Sequence, residues 1–174
     1  MALRPILVAP DPILKAKAKP VDTVDDELRA LADDMLETMY AAPGIGLAAP
    51  QIGESRRVIV FDIAPDGEPK APYFMANPEL VWVSDEDATY EEGCLSVPEH
   101  YADVVRPARV RVKFLDRDGE SREVEAEGLL ATVIQHEMDH LDGILFIDHL
   151  SNLKRNMILR KLLKSRKQVL DEAS

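Results

Sequence analysis

The sequence predicts an α+β fold in which short antiparallel strands pack around a central helix, with a further helix at the C-terminal end. Three observations support this class. Residues 24–40 have the apolar periodicity of an amphipathic helix, residues 110–126 read as a β-hairpin, and residues 129–141 form an apolar helical stretch. No repeat, linker or low-complexity segment interrupts the chain, so we expect a single domain over residues 1–174.

The first half of the chain combines one helix with several short strands. Asp22 or Thr23 can cap a helix over residues 24–40. Its apolar face consists of Leu28, Leu31, Ala32, Met35 and Met39. A glycine-rich loop follows, and β-branched residues then predict a strand over residues 57–63. Further short strands are expected over residues 73–77, 80–83 and 88–92.

The second half predicts a hairpin followed by two helices. Residues 110–115 and 122–126 read as strands joined by a turn that ends in Asp-Gly. A helix follows over residues 129–141, and the last helix covers residues 152–170. Residues 151–174 carry seven Lys and Arg against two Asp and Glu, a net charge of +5, whereas the rest carries 14 against 30, a net charge of −16.

Composition and cysteine content favour a globular protein of the cytoplasm. Hydrophobic residues make up 46% of the chain and charged residues 30%. No apolar run approaches the roughly 20 residues of a membrane span, and residues 1–5 lack the features of a signal peptide. A single cysteine excludes an internal disulfide, so we expect a reducing, cytoplasmic location and no membrane partner.

The sharpest chemical motif is HExxH, which runs from His136 to His140 within a predicted helix. Side chains at i and i+4 lie on one face of a helix, so both imidazoles can bind one metal ion, and Glu137 can take a proton from metal-bound water. The motif also arises by chance, and histidine pairs on helices are often structural. The broad apolar surface of residues 129–141 favours a buried helix and hence a metal site.

Two other segments offer partners for such a site. Cys94 is, by residue type alone, a buried apolar side chain, a nucleophile or a metal ligand. Residues 44–53 form a glycine-rich loop in which Gln51 offers an amide able to donate to an oxyanion. This loop lacks the Lys-Ser/Thr ending of a phosphate-binding loop.

Together, these segments resemble the peptide deformylases. That family is marked by G-x-G-L-A-A-x-Q, E-G-C-L-S and Q-H-E-x-D-H, which occur here in the same order at residues 44–51, 92–96 and 135–140. Residues 7–14 and 19–21 also resemble the family's N-terminal region. The resemblance covers nearly the whole chain and implies the same α+β fold around the HExxH helix.

The resemblance implies a metal-dependent hydrolase that removes the formyl group from the N-terminal formylmethionine of nascent polypeptides and releases formate. The metal would be held by Cys94, His136 and His140. Water on that metal would attack the formyl carbon, with Glu137 as general acid and base. The Gln51 amide and the Leu95 backbone N–H would stabilise the tetrahedral oxyanion.

The implied cofactor is one divalent ion. Thiolate and imidazole ligands suit Zn(II), Fe(II), Ni(II) and Co(II), and the resemblance favours Fe(II) in the cell, with other metals in purified protein. The implied partner is the nascent formylmethionine polypeptide, and we expect no sequence-specific nucleic-acid binding. The basic helix in residues 151–174 could contact ribosomal RNA, although a solvated helix face is the simpler interpretation.

The resemblance also implies substrate contacts. The peptide main chain would lie against Gly44, Ile45, Gly46, Leu47 and Gly93. The methionine pocket would include Leu129, Thr132 and Val133, although core packing alone also explains these three residues. One position departs from the family pattern, because Tyr101 stands where many members have Arg, and Arg106 comes later. The role of that Arg is therefore not transferred to this chain.

Two other functions stay open on the sequence alone. A general HExxH metallopeptidase would take its third ligand downstream of the helix, where His149 is available. A non-catalytic homologue that only binds nascent chains would require a broken active site, yet none of the expected catalytic residues is missing.

Overall fold

The computed structural model describes the backbone of residues 2–173 and the side chains of residues 2–167. Over this range the helices are α1 (Asp26–Ala41), α2 (Gly128–Leu141) and α3 (Asn152–Ala173). The strands are β1 (Gly46–Ala48), β2 (Val58–Phe61), β3 (Tyr73–Val83), β4 (Asp87–Cys94), β5 (Val97–Pro107), β6 (Arg109–Leu115) and β7 (Ser121–Glu127). All strand pairings are antiparallel, and the predicted α+β class is confirmed.

The larger sheet has five strands in the order β1-β2-β3-β6-β7 and carries a helix on each face. Side chains alternate across a strand, so Val58 and Val60 of β2 pack with α1, whereas Ile59 and Phe61 pack with α2. All four are fully buried, and burying such a side chain contributes roughly 1.5–3 kcal/mol. The sheet therefore fixes α2 on one side of β1, and β1 is the edge strand of the sheet.

The first helix begins later than its sequence suggested. Asp25, and not Asp22 or Thr23, is the N-cap, because its carboxylate accepts a hydrogen bond from the Leu28 backbone N–H at 2.9 Å. Asp26 and Glu27 then occupy the first turn, where their negative charge is favourable at the positive end of the helix dipole.

The two short strands expected over residues 73–77 and 80–83 are one irregular strand, β3. Its register against β6 shifts between Ala76 and Glu79. At this point Asn77 has a φ of +49°, and its side chain bonds the backbone N–H and C=O of Val21, each at 2.9 Å. Asn77 and Pro78, which lie where the first predicted strand ends, therefore form a bulge within one strand and do not end it.

A second sheet consists of β4 and β5, and no strand had been predicted for the latter. Its sequence mixes Pro98 with charged residues and includes Glu99 at a φ of +66°, so it has no regular apolar alternation for a pattern to detect. Cys94 pairs with Val97 across the hairpin, which leaves Leu95 and Ser96 as a two-residue turn. This turn brings the Cys94 motif to the end of the second sheet.

A third apolar cluster joins the second sheet to the C-terminal region. Val97 and Val104 of β5 pack with Phe146 and Ile147, and α3 contributes Ile158, Leu159 and Leu162. Most other described side chains of α3 are exposed. None of the helices in residues 2–173 combines the length and apolar character needed to cross a membrane.

Gly143, just after α2, gives a stability prediction. It has a φ of +75°, and an added Cβ would lie 2.3 Å from the Lys15 carbonyl oxygen. Gly67 has a φ of +86° but nothing within 4 Å, so Gly67→Ala isolates the backbone strain, about 1 kcal/mol. Gly143→Ala should cost about 3 kcal/mol, since overpacking adds to that strain. Urea unfolding of the two variants checks this, and equal losses would contradict it.

Candidate active site and metal centre

Three potential metal ligands meet where α2 passes the end of β4. His136 and His140 are buried one turn apart on α2, and their ring centroids are 5.1 Å apart. The Cys94 sulfur lies 3.3 Å from His140 Nε2. The ligand atoms of the three side chains all lie within 4.8 Å of one another, so the predicted set of one thiol and two imidazoles does come together.

The chemistry of this group fits a divalent cation. Thiolate and imidazole suit zinc and the neighbouring transition metals, and three protein ligands leave a position free for water. Burial lowers the pKa of His136, but the charge of Glu137 and the hydrogen bonds to Cys94 and Glu92 outweigh burial and raise it well above its ordinary value. The surroundings of His136 therefore favour positive charge, which a bound cation would supply.

The other two histidines do not join this group. His149 places Nε2 at 2.8 Å from Asp139 Oδ2, so the structure does not offer it as the third ligand of a general metallopeptidase. His100 lies on β5 and lines the cavity described below.

A buried chain of charged groups holds His136 through its Nδ1 atom. His136 Nδ1 lies 2.9 Å from Glu92 Oε1, and Arg106 donates to both Glu92 oxygens at 2.7 and 2.9 Å. Arg106 also donates to Asp139 at 2.8 Å. Burial raises the pKa of Glu92, but the hydrogen bonds from Arg106 and His136 outweigh burial. The net pKa of Glu92 is lowered, so the carboxylate stays ionised. An ionised Glu92 fixes the orientation of the His136 ring.

Sequence analysis missed the part played by Glu92, Arg106 and Asp139. Glu92 and Asp139 lie inside the quoted motifs, but nothing in those motifs indicates that they share one arginine. Arg106 was noted only as a residue downstream of Tyr101. A buried Arg needs partners, but 14 residues separate Arg106 from Glu92 and 33 separate it from Asp139.

Glu137 is buried beside the potential ligands. Its Oε2 lies 3.8 Å from His136 Nε2, and its Oε1 has no hydrogen-bond partner among residues 2–167. Burial raises the pKa of Glu137 to about 7, a range suited to both accepting and returning a proton near neutral pH. An added Cβ on Gly46 would lie 2.4 Å from Glu137 Oε2, so only glycine fits there without a shift.

Gln51 lies in a 3-10 helix (Ala49–Ile52) that directly follows β1. Its side-chain oxygen accepts a hydrogen bond from the Ala48 N–H at 2.9 Å, which turns the amide nitrogen toward β4. This nitrogen lies 3.0 Å from Ser96 Oγ and 3.5 Å from the Cys94 sulfur. The amide N–H groups are thus held next to the potential metal ligands.

Gln51, Cys94, His136 and Glu137 line a cavity of about 660 Å³. Of the residues predicted to contact substrate or oxyanion, those that line it are Gly44, Ile45, Gly46, Gln51, Gly93 and Leu95. Leu47 is buried against α1 instead. Leu129 is 43% exposed, while Thr132 and Val133 are buried on α2, and none of these three lines the cavity. Their place in a methionine pocket stays a prediction.

The cavity also includes residues that had not been singled out as contacts. Ile6 comes from the N-terminal segment, and Val97, His100 and Tyr101 come from β5. The Tyr101 ring covers Gly93, where an added Cβ would lie 2.6 Å from two ring carbons. Sequence patterns could not find the three β5 residues, because that strand was not predicted.

Comparison with known proteins identifies the family. The model of the polypeptide deformylase family matches residues 3–156. The chain belongs to this family. A peptide deformylase from Phenylobacterium zucineum is 63% identical over 167 residues, which cover 96% of this chain and 99% of that protein. The resemblance inferred from the three motifs is thereby confirmed.

Solved deformylase structures share the fold. The peptide deformylase of Ehrlichia chaffeensis superposes with a TM-score of 0.92 at 38% identity, covering 98% of this chain and 99% of that one. A peptide deformylase from Legionella pneumophila gives a TM-score of 0.88 at 50% identity, covering 97% and 98%. The chain therefore has the family's fold over nearly its whole length.

Arg106 gives the second stability prediction. Arg106→Met should cost about 3–5 kcal/mol of unfolding free energy, because it leaves the Glu92 carboxylate buried without its cation. It should also weaken metal binding roughly 10–100-fold, because Glu92 no longer holds His136 in place. Urea unfolding and metal competition with a chelator measure the two effects.

Arg111→Met is the matched control for that experiment. Arg111 pairs with Glu123 at 3.4 Å on the surface, and exposed pairs contribute about 1 kcal/mol or less. If both Arg variants lose the same stability and keep the same metal affinity, the buried chain of charges does not support the site.

Proposed function

We propose that this chain removes the formyl group from the N-terminal formylmethionine of nascent polypeptides and releases formate. The observation that carries the proposal is that Cys94, His136, Glu137 and Gln51 line one cavity in a member of the deformylase family. His140 completes the potential ligand set next to Cys94 and His136. The substrate is a nascent chain and the ligand set contains a thiol, so we expect the enzyme to act in the reducing cytoplasm.

In this proposal one divalent cation is held by Cys94, His136 and His140. When bound, it supplies Lewis acidity that polarises the formyl oxygen and lowers the pKa of water. We infer that the metal in the cell is Fe(II), with zinc, nickel and cobalt as alternatives that the same ligands accept. Burial lowers the pKa of His140 well below its ordinary value, so its imidazole is in the neutral form that binds metals.

Glu137 provides the proton transfers. Burial raises the pKa of Glu137, and a bound cation beside it would lower that pKa, so the ionised carboxylate can accept a proton from the attacking water. It then returns that proton to the departing nitrogen, because the nitrogen leaves readily only as a neutral amine. General acid–base catalysis by one such group contributes roughly 10²–10⁴-fold in rate.

Gln51 and the Leu95 backbone N–H are proposed to bind the oxyanion that forms on the formyl oxygen. The Gln51 amide is preorganised by its bond from Ala48, and Leu95 occupies the turn that immediately follows Cys94. Both residues line the cavity. Losing one donor of this kind typically costs about 10²–10³ in kcat.

The substrate main chain is proposed to pair with β1. The Asp62 N–H donates to the Ile45 carbonyl at 2.9 Å, and backbone groups alternate in direction along an antiparallel strand. The backbone groups of Ile45 therefore face β2, whereas those of Gly46 face the open edge beside the cavity. An extended peptide can add to such an edge by main-chain hydrogen bonds. Ile45, which is 48% exposed, provides apolar surface there.

We also propose that α3 contacts ribosomal RNA. Lys154, Arg160, Lys161 and Lys164 are exposed on this helix, and they belong to a segment of net charge +5 on an acidic protein. Phosphate groups attract such a surface, and the attraction weakens as salt rises. A contact of this kind would place the cavity near newly made N-termini.

The proposed activity predicts rapid formate release from a formyl-Met tripeptide by protein loaded with Fe(II) or Ni(II) without oxygen. Glu137→Ala should lower kcat about 10²–10⁴-fold with metal still bound, because the proton acceptor is gone. Glu123→Ala, on the exposed surface of β7, is the matched control. Formate production and metal content are measured together.

Two results would count against the proposed activity. Cleavage inside an unformylated peptide would favour a general metallopeptidase. Full activity of Glu137→Ala would exclude Glu137 as the acid and base.

The ribosome contact predicts a salt-dependent binding defect. Lys161→Glu combined with Lys164→Glu should reduce co-sedimentation with ribosomes at low salt, because both changes place negative charge near phosphates. Formate release from the free tripeptide should stay unchanged, since neither residue lines the cavity. Unchanged co-sedimentation would show that the basic face is only solvated.

A further inference from the structure

An N-terminal segment without regular secondary structure, residues 6–9, connects the two motifs that supply the proposed oxyanion donors. The Leu7 N–H donates to the Gln51 carbonyl at 2.7 Å, and the Ala9 N–H donates to the Ser96 carbonyl at 2.8 Å. Ile6, one residue earlier, lines the cavity. One short stretch of backbone thus contacts the 3-10 helix of Gln51 and the turn that contains Leu95.

The two donors otherwise belong to different parts of the fold. Gln51 follows the edge strand of the five-stranded sheet, whereas Leu95 and Ser96 form the turn of the two-stranded sheet. Among the backbone hydrogen bonds of residues 2–173, none joins that 3-10 helix directly to that turn. Their direct polar link is the Gln51 side chain, which donates to Ser96 Oγ at 3.0 Å. The amide that has to reach the oxyanion is therefore also the direct side-chain link between the two parts.

The segment itself is fixed by contacts away from the cavity. Before it, the Arg4 N–H donates to Thr38 Oγ1 at 3.0 Å, and the Arg4 guanidinium binds Asp34 at 2.9 Å, both on α1. After it, Leu14 is 1% exposed within the third apolar cluster. Both ends are anchored, so residues 6–9 can hold the Gln51 helix and the Leu95 turn at a set spacing.

We propose that residues 6–9 are a positioning strap that sets the distance between the Gln51 amide and the Leu95 N–H so that both reach one oxyanion. The proposal rests on the proposed role of Gln51 as an oxyanion donor. Such donors are effective only when they are held in place before the reaction, within about 0.5 Å of the productive geometry. The strap acts through Gln51 and Leu95 and does not itself touch the reacting atoms.

The test removes a single backbone N–H. Replacing Leu7 by its α-hydroxy acid turns the Ile6–Leu7 amide into an ester, which deletes the donor to Gln51 without changing a side chain. An ester at Val8 is the matched control, because the Val8 N–H takes part in none of the hydrogen bonds found among the described residues. Both esters are made in the metal-loaded, full-length protein and in its Gln51→Ala variant.

The expected result is a loss that depends on Gln51. With Gln51 present, the Leu7 ester should lower kcat for the formyl-Met tripeptide roughly 10-fold, part of the effect of losing a donor. The KM and the bound metal should change less than twofold, and the Val8 ester should have little effect. In the Gln51→Ala protein the Leu7 ester should cost almost nothing further, because the donor that it positions is absent.

Other outcomes overturn the proposal in distinguishable ways. An equal loss from the Leu7 ester with and without Gln51, or an equal loss from the Val8 ester, would mean that the segment only stabilises the fold. A Gln51→Ala protein with unchanged kcat would remove Gln51 from the proposed mechanism, and the strap with it. If the Leu7 ester protein does not fold, the Ala9 ester tests the strap from its other end. Its cost should then be larger with Gln51 than without.

Discussion

The burial of α2 determines most of this structure. A helix that lies against a sheet must bury one face, and on α2 that face carries His136, Glu137 and His140 together with apolar residues. Burying ionisable groups is costly unless they are paired. Arg106 meets much of this demand, because it binds Glu92 and Asp139 at once while Glu92 holds His136. Arg106, which comes from the other sheet, thus stabilises part of the buried charge on and beside this mostly apolar helix.

The same constraint explains why the site lies where the two sheets meet. The five-stranded sheet supplies α2 and the open edge at Gly46, and the two-stranded sheet supplies Cys94, Glu92 and Arg106. Neither sheet alone holds a complete set of metal ligands. Chemistry at the cavity thus depends on the relative position of the two sheets, and the few contacts between the sheets determine that position.

Sequence reasoning succeeded where the information is local and failed where it is not. HExxH has a defined meaning on a helix, so its spacing alone predicted that His136 and His140 lie close together on α2, as the structure shows. Cys94 could be assigned as a ligand only through the family resemblance, because no local pattern links it to α2. The strand β5 was missed because it lacks apolar alternation. The contacts made by its residues were therefore missed too, namely the ion pairs of Arg106 and the packing of Tyr101 over Gly93. The contacts of residues 6–9 are backbone bonds, which side-chain patterns do not encode.

The open edge of β1 has a consequence for solubility at high protein concentration. An unpaired strand edge that accepts a peptide can equally accept a strand from another protein molecule, and long edges of this kind promote aggregation. Here β1 has only three residues, and Glu137 stands directly against its first residue, Gly46. So short and recessed an edge offers too few hydrogen bonds for two folded copies to associate through it. A flexible chain terminus, in contrast, is narrow enough to enter.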